Sequence, residues 1–157
     1  MTSIDYDLRA CLEYNPQDGF TVDDIARVLA VWEGENEGDD WRWILRLKDG
    51  RNVCLIGGCD YTGWDCQSSA ESSFHSTAMS AADTARLDRR GRPRDDVHQS
   101  LVQQLQDGKV ETWRERMDKE LGVDSNAPAA PDHDSDDELP AASAPTPPAS
   151  PGLPPPR

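Results

Sequence analysis

The chain has 157 residues and carries 30 acidic against 16 basic side chains, a net charge of −14. A charge of this size favours solubility and repels nucleic-acid phosphate except at a local basic patch. No apolar run approaches the roughly 20 residues that cross a bilayer, so general nucleic-acid binding and a membrane-spanning role are disfavoured.

The acidic excess has two locations. Residues 1–40 hold eleven acids against Arg9 and Arg27, residues 124–157 hold six against Arg157, and the middle is neutral. The start, Met1-Thr2-Ser3-Ile4-Asp5, has neither the basic nor the apolar region of an export signal. The expectation is a cytoplasmic protein, so the four cysteines (Cys11, Cys54, Cys59, Cys66) read as reduced thiols or ligands before disulfides.

In chain order, Leu8, Cys11, Leu12 and Tyr14 recur at helical spacing, and Asn15-Pro16-Gln17-Asp18-Gly19 breaks that helix. A second helix is predicted from Thr21 to Trp32. Thr21 and Asp24 form a capping signature, Phe20 and Ile25 the positions of a staple, and Val22, Ile25, Val28, Leu29 and Trp32 a buried stripe. Gly34 to Asp40 follows as an exposed acidic loop.

The period then becomes two. Trp41, Trp43, Leu45 and Leu47 alternate with Arg42, Ile44, Arg46 and Lys48, Asp49-Gly50 supplies a type I′ turn, and Asn52 to Ile56 returns. That turn sets Leu45 opposite Cys54, Trp43 opposite Ile56 and Ile44 opposite Leu55. Apolar residues on both strand faces imply packing from two sides near the open end. Gly57-Gly58 permits a bend before a third short strand within Asp60 to Gln67, and Ser68 to Ser80 reads as loop. After a short helix, Arg86 to Arg94 forms a basic linker. A long helix then runs from about Asp95 to Leu121, with Gly108 a point of division. Ten of the twelve prolines lie beyond Ala127, around Asp132 to Glu138, a composition that buries too little to order itself.

The fold class predicted is α+β: a small antiparallel sheet of two or three strands packed on helices, with a disordered acidic proline-rich tail. The organisation follows as residues 1–80, a helix-helix-hairpin core; 81–94, a basic linker; 95–123, a helix or helix pair; and 124–157, the tail. A hairpin alone is marginal, so helix cover is required.

Four groups of residues carry chemistry. The first is the acidic row Glu33, Glu35, Glu37, Asp39 and Asp40, which could compete for arginines on a basic protein surface; its bland counterpart is a solvated acidic face. The second is Arg89-Arg90-Gly91-Arg92-Pro93-Arg94. It resembles the core of an AT-hook, in which Arg90, Gly91 and Arg92 would lie along a narrow minor groove; its bland counterpart is a linker paired with nearby acids. The third is Cys54, Cys59, Cys66 and His75, suitable ligand types for zinc, although gaps of four, six and eight residues depart from the usual knuckle spacing. A reversible Cys59 to Cys66 link and small buried hydrophobes flanking a turn are the alternatives. The fourth is Trp41 and Trp43, a stacking platform or core. Neither these nor Asp60 and Asp65 match a recognised catalytic spacing, so no enzyme and no cofactor is expected.

The segment Trp43 to Arg51, W-x-L-x-L-x-D-G-R, with Cys59 to Ser68, C-D-Y-T-G-W-D-C-Q-S, resembles an uncharacterised family of small actinobacterial and actinophage proteins. The resemblance covers roughly residues 4–75 and implies a high-GC bacterial or phage source without implying an activity. The function expected is that of a small, acidic, non-enzymatic interaction protein acting in the cytoplasm on a partner with a basic surface; with a phage or mobile-element source, that cytoplasm is the host's. The alternatives are a DNA-binding accessory protein using the arginine segment and a small zinc or redox-cysteine protein.

Overall fold

The computed structural model describes residues 3–88, 90–122 and 152. The predicted tail, Gly152 apart, lies outside the described residues, as does Arg89. Through Gly122 the described residues form one compact α+β unit. Helix α1 (Ser3–Tyr14) is followed by a single 3₁₀ turn (Val22–Asp24). Strands β1 (Ile25–Trp32), β2 (Trp41–Leu47), β3 (Asn52–Asp60) and β4 (Gly63–His75) come next. Helices α2 (Ala78–Ala85), α3 (Asp95–Asp107) and α4 (Trp113–Leu121) complete the order. All strand pairings are antiparallel and the spatial order is β1-β2-β3-β4. The sheet thus has four strands where the sequence predicts two or three.

Both faces of the sheet are buried along β2 and β3, as the two-sided hairpin implies. Trp41, Trp43, Leu45, Val53, Leu55 and Cys59 pack with Leu8, Cys11 and Leu12 of α1. Ile44, Cys54, Ala30 and Trp32 pack with Ala81, Ala82 and Ala85 of α2 and Val97 and Leu101 of α3. Each large apolar side chain withdrawn this way contributes about 2 kcal/mol. Gly57 is the point of closest approach beneath α1: a Cβ there would stand 2.7 Å from Cys11 Sγ and 3.1 Å from the Trp64 ring.

The predicted helix from Thr21 to Trp32 is the main correction. Its capping signal is real, since Thr21 N–H donates to Asp24 Oδ2 at 2.7 Å, but it caps only the 3₁₀ turn. The chain then extends as β1, with register shifts between Ile25 and Arg27 and between Val28 and Ala30. Each shift inserts one residue. Ile25, Val28 and Val31, three apart, therefore all fall opposite the odd-numbered core positions Leu47, Leu45 and Trp43. Two bulges give a strand the spacing of a helix.

The β2/β3 turn is also corrected. Leu47 N–H donates to Arg51 O at 2.9 Å and Gly50 N–H to Leu47 O at 3.0 Å. The loop is therefore the three residues Lys48 to Gly50, with Gly50 alone at positive φ, +92°. A type I′ turn needs two such residues, whereas this is a turn followed by a left-handed glycine. One extra loop residue moves the register, so that Leu45 faces Val53, Trp43 faces Leu55 and Ile44 faces Cys54. The stretch read as loop, Ser68 to Ser80, instead supplies most of β4 and the start of α2. Its serines lie on an edge strand where hydroxyls find partners: Ser68 with Asn15, Ser72 with Gln17, Ser73 with His75. Gly108 does divide the last helical region, ending α3 in a left-handed cap at φ +66°.

Two substitutions test the packing. Gly57→Ala should destabilise by about 1 to 3 kcal/mol because the methyl has no space between Cys11 and Trp64. Gln104→Leu should cost about 3 kcal/mol, since the buried Gln104 amide bonds both Val31 N–H and Val31 C=O at 2.9 Å and leucine strands both. Urea unfolding reads each; a midpoint unchanged from the native chain contradicts the corresponding contact.

Candidate functional site

Where the open end of the β2/β3 hairpin meets two loops, the fold leaves an open cleft of about 860 Å³. Three segments that are distant in sequence form it. Glu37 to Asp40 come from the acidic loop, Cys59, Asp60 and Cys66 to Ser69 from the cysteine stretch, and Asp88, Arg90, Arg92 and Arg94 from the basic segment, with Arg42 and Gly58 at the floor.

The acidic loop is held in shape by its own backbone. Glu35 N–H donates to Asp39 O at 2.9 Å, Gly38 N–H to Glu35 O at 3.0 Å and Glu37 N–H to Cys59 O at 2.8 Å. Gly34 closes the neck, where a Cβ would sit 2.2 Å from Asp39 O, and Glu37 adopts the left-handed region at φ +54°. Arg94 grips the loop from the other wall, its Nη1 and Nη2 donating to the two Asp39 carboxylate oxygens at 2.8 and 3.0 Å, while Nε and Nη2 donate to Asp96 at 3.1 and 3.0 Å. These hydrogen bonds from Arg94 hold both carboxyls below their usual range.

The five predicted acids therefore have unequal surroundings. Glu33 is buried, its carboxylate accepting the Trp113 N–H and its carbonyl accepting Arg116 Nη2 at 3.2 Å, while the Arg116 guanidinium lies 3.6 Å above the Trp32 ring centre. Asp39 belongs to Arg94. Glu35, Glu37 and Asp40 complete the loop, and the Glu37 carboxylate raises the pKa of the Tyr61 hydroxyl.

The basic segment is folded back on itself. Asp88 Oδ1 accepts Arg90 N–H at 2.9 Å and Arg92 N–H at 2.8 Å, Asp88 Oδ2 accepts Arg92 Nε at 2.9 Å, and Gly91 sits at φ +75°. Leu87 and Pro93 form a bridge across its base. Arg90, Gly91 and Arg92 thus form an aspartate-centred turn with exposed side chains, and Arg94 points into the clasp with Asp39.

The four zinc candidates are not gathered. Cys54 lies in the core under α2 and α3, Cys59 in the core under α1, and Cys66 is exposed. His75 stands opposite Asn52, held by Ser73 Oγ at 2.7 Å and Ser80 Oγ at 2.9 Å, about 23 Å along β3 from Cys59. Among the described residues no group of three His, Cys, Asp or Glu side chains stands where it could hold a metal ion. All four thiols are free, and Cys59 Sγ donates to Asn36 Oδ1 at 3.1 Å. Trp41 and Trp43 are core, tilted against Trp64 with ring centres at 5.1 and 6.2 Å. Asp60 is a turn group, its Oδ1 accepting Thr62 N–H at 3.0 Å and Oγ1 at 2.7 Å.

Arg42 is the residue the sequence pattern conceals. Alternation places it on the face of Ile44, and since that face is covered it is 1 % exposed. Its Nη1 donates to Asp40 O at 3.1 Å while Nε has no partner, and burial lowers its pKa. Trp32 and Ile56, which pair with it across β1/β2 and β2/β3, complete the apolar column around this arginine.

Burial pushes the Cys11 and Cys54 thiols up to about 12, so neither forms the reactive thiolate at mildly alkaline pH. Iodoacetamide should modify Cys66 first, Cys59 more slowly, and Cys11 and Cys54 only after denaturation; peptide mass mapping that finds all four labelled at one rate contradicts this placement. Compared with protein-family models, curated proteins and solved structures, the chain matches none of them.

Proposed function

We propose that the protein is a non-enzymatic interaction protein that presents the acidic loop, set on the wall of the charged cleft, to a basic surface of a partner protein. The observation that carries this reading is the fixed geometry of the loop: three main-chain hydrogen bonds and the Arg94 clasp hold it before any partner arrives. Binding then orders little new chain, and that ordering is a main cost of association. Glu35 and Glu37 supply the partner-facing carboxylates, because Glu33 is buried and Asp39 is clasped by Arg94, whereas among the described residues the Glu37 carboxylate meets only the exposed Tyr61. A phage origin, one of the two sources the sequence resemblance implies, would make that partner a host protein.

DNA binding through the arginine segment is the weaker reading. Arg92 and Arg94 are already paired with Asp88 and with Asp39 and Asp96, and Gly91 forms a turn rather than an extended link. An arginine-rich peptide immobilised on a sensor is a direct probe. The native chain should bind it with a response that falls as salt rises, and Glu35→Lys with Glu37→Lys should reduce binding at least tenfold while leaving thermal stability near native. Equal binding by the charge-reversed variant would remove the loop from the interaction.

A further inference from the structure

The two edges of the sheet are finished differently. Along β1, Gln104 of α3 occupies the place of a neighbouring strand: its Oε1 accepts Val31 N–H and its Nε2 donates to Val31 C=O, both at 2.9 Å, and the side chain is buried. Among the described residues no strand lies beyond β4, the longest of the four at 13 residues. Its outer side is met at Ala70, whose carbonyl accepts Gln17 Nε2 at a long 3.4 Å. That contact fixes the phase of the strand: Ser68, Ala70, Ser72 and Phe74 turn their main-chain groups outward, and the residues between them bond to β3.

Edge strands are usually blunted by proline, lysine or inward charge. From Gln67 to His75 there is no proline and no lysine, and Glu71 is the one fully charged residue. Phe74 on this edge is 43 % exposed, and Tyr14, 51 % exposed, precedes Asn15, whose amide holds Ser68 Oγ at 2.9 Å.

We infer that β4 pairs with β4 of a second copy of this chain, antiparallel, to give one continuous eight-stranded sheet across a two-fold axis. The occupant is a second copy because an antiparallel edge is its own complement about such an axis. It is also the stretch where two chains of net charge −14 can approach with few like charges. An axis at Ala70 or at Ser72 sets Glu71 opposite Ser69 or Ser73, never opposite its own copy. Gln104 occupies the β1 edge at Val31, so β4 is the edge each copy has to give and association stops at two.

Sedimentation velocity of the full chain over a wide concentration range tests this. The expected species has twice the 17.4 kDa chain mass. Ser72→Pro removes an outward N–H while leaving the β3 ladder intact, and should return the protein to single-chain mass with an unchanged circular-dichroism spectrum. If that variant does not fold, amide exchange of the native chain decides: the Ser72 and Phe74 amides should slow as concentration rises. A native chain of single mass at every concentration, a folded Ser72→Pro variant that stays double, or outward amides indifferent to concentration would overturn the inference.

Discussion

Consecutive residues of β2 are buried on opposite faces of one sheet, Trp43 toward α1 and Ile44 toward α2 and α3, both fully withdrawn from water. A small sheet with two apolar faces cannot stand at a solvent boundary, so helices must cover it on both sides. The order of elements follows from that need: α1 precedes the strands and takes one face, and α2 and α3 follow them and take the other. Arg42 is carried into the interior by the same alternation. Its burial beneath the Asp39 to Asp40 loop ties the chemistry of the cleft to the packing of the sheet.

What was legible in the sequence was what local physics decides. The alternation from Trp41 to Leu47, the helical spacing of Leu8, Cys11 and Leu12 and the break at Gly108 each act within a few residues, and each forms nearly where expected; the Asp49-Gly50 turn forms in place but with three loop residues instead of two. The Thr21 to Trp32 segment misleads for a specific reason. A three-residue spacing of Ile25, Val28 and Val31 satisfies a helix and equally a strand with two bulges, and only β2 as a neighbour chooses between them. The serines of β4 mislead in another way, because hydroxyls that suit a loop also suit an edge strand whose partners, Asn15 and Gln17, lie more than fifty residues away. The candidate site was legible as ingredients and not as an assembly: acidic loop, cysteine stretch and arginine segment were each visible, but their meeting at one cleft is decided by tertiary packing.

That meeting changes the electrostatics of the parts. An acidic run taken alone is a solvated face, and an arginine run taken alone is a phosphate-seeking arm. Brought together, Arg94 pairs with both Asp39 and Asp96, Arg92 pairs with Asp88, and the remaining carboxylates stand on a loop whose backbone is already fixed. Exposed ion pairs of this kind contribute modestly to stability. Their effect here is geometric: they decide which acids stay outward and hold them there.

The most direct measurement is amide hydrogen exchange across Gly34 to Asp40 in the isolated native chain. A loop fixed by Cys59 O, Asp39 O and the Arg94 clasp predicts slow exchange at the Glu35 and Glu37 amides, lost on Arg94→Met without loss of protection in β2 and β3. Exchange at the free-peptide rate in the native chain would contradict a preformed acidic surface.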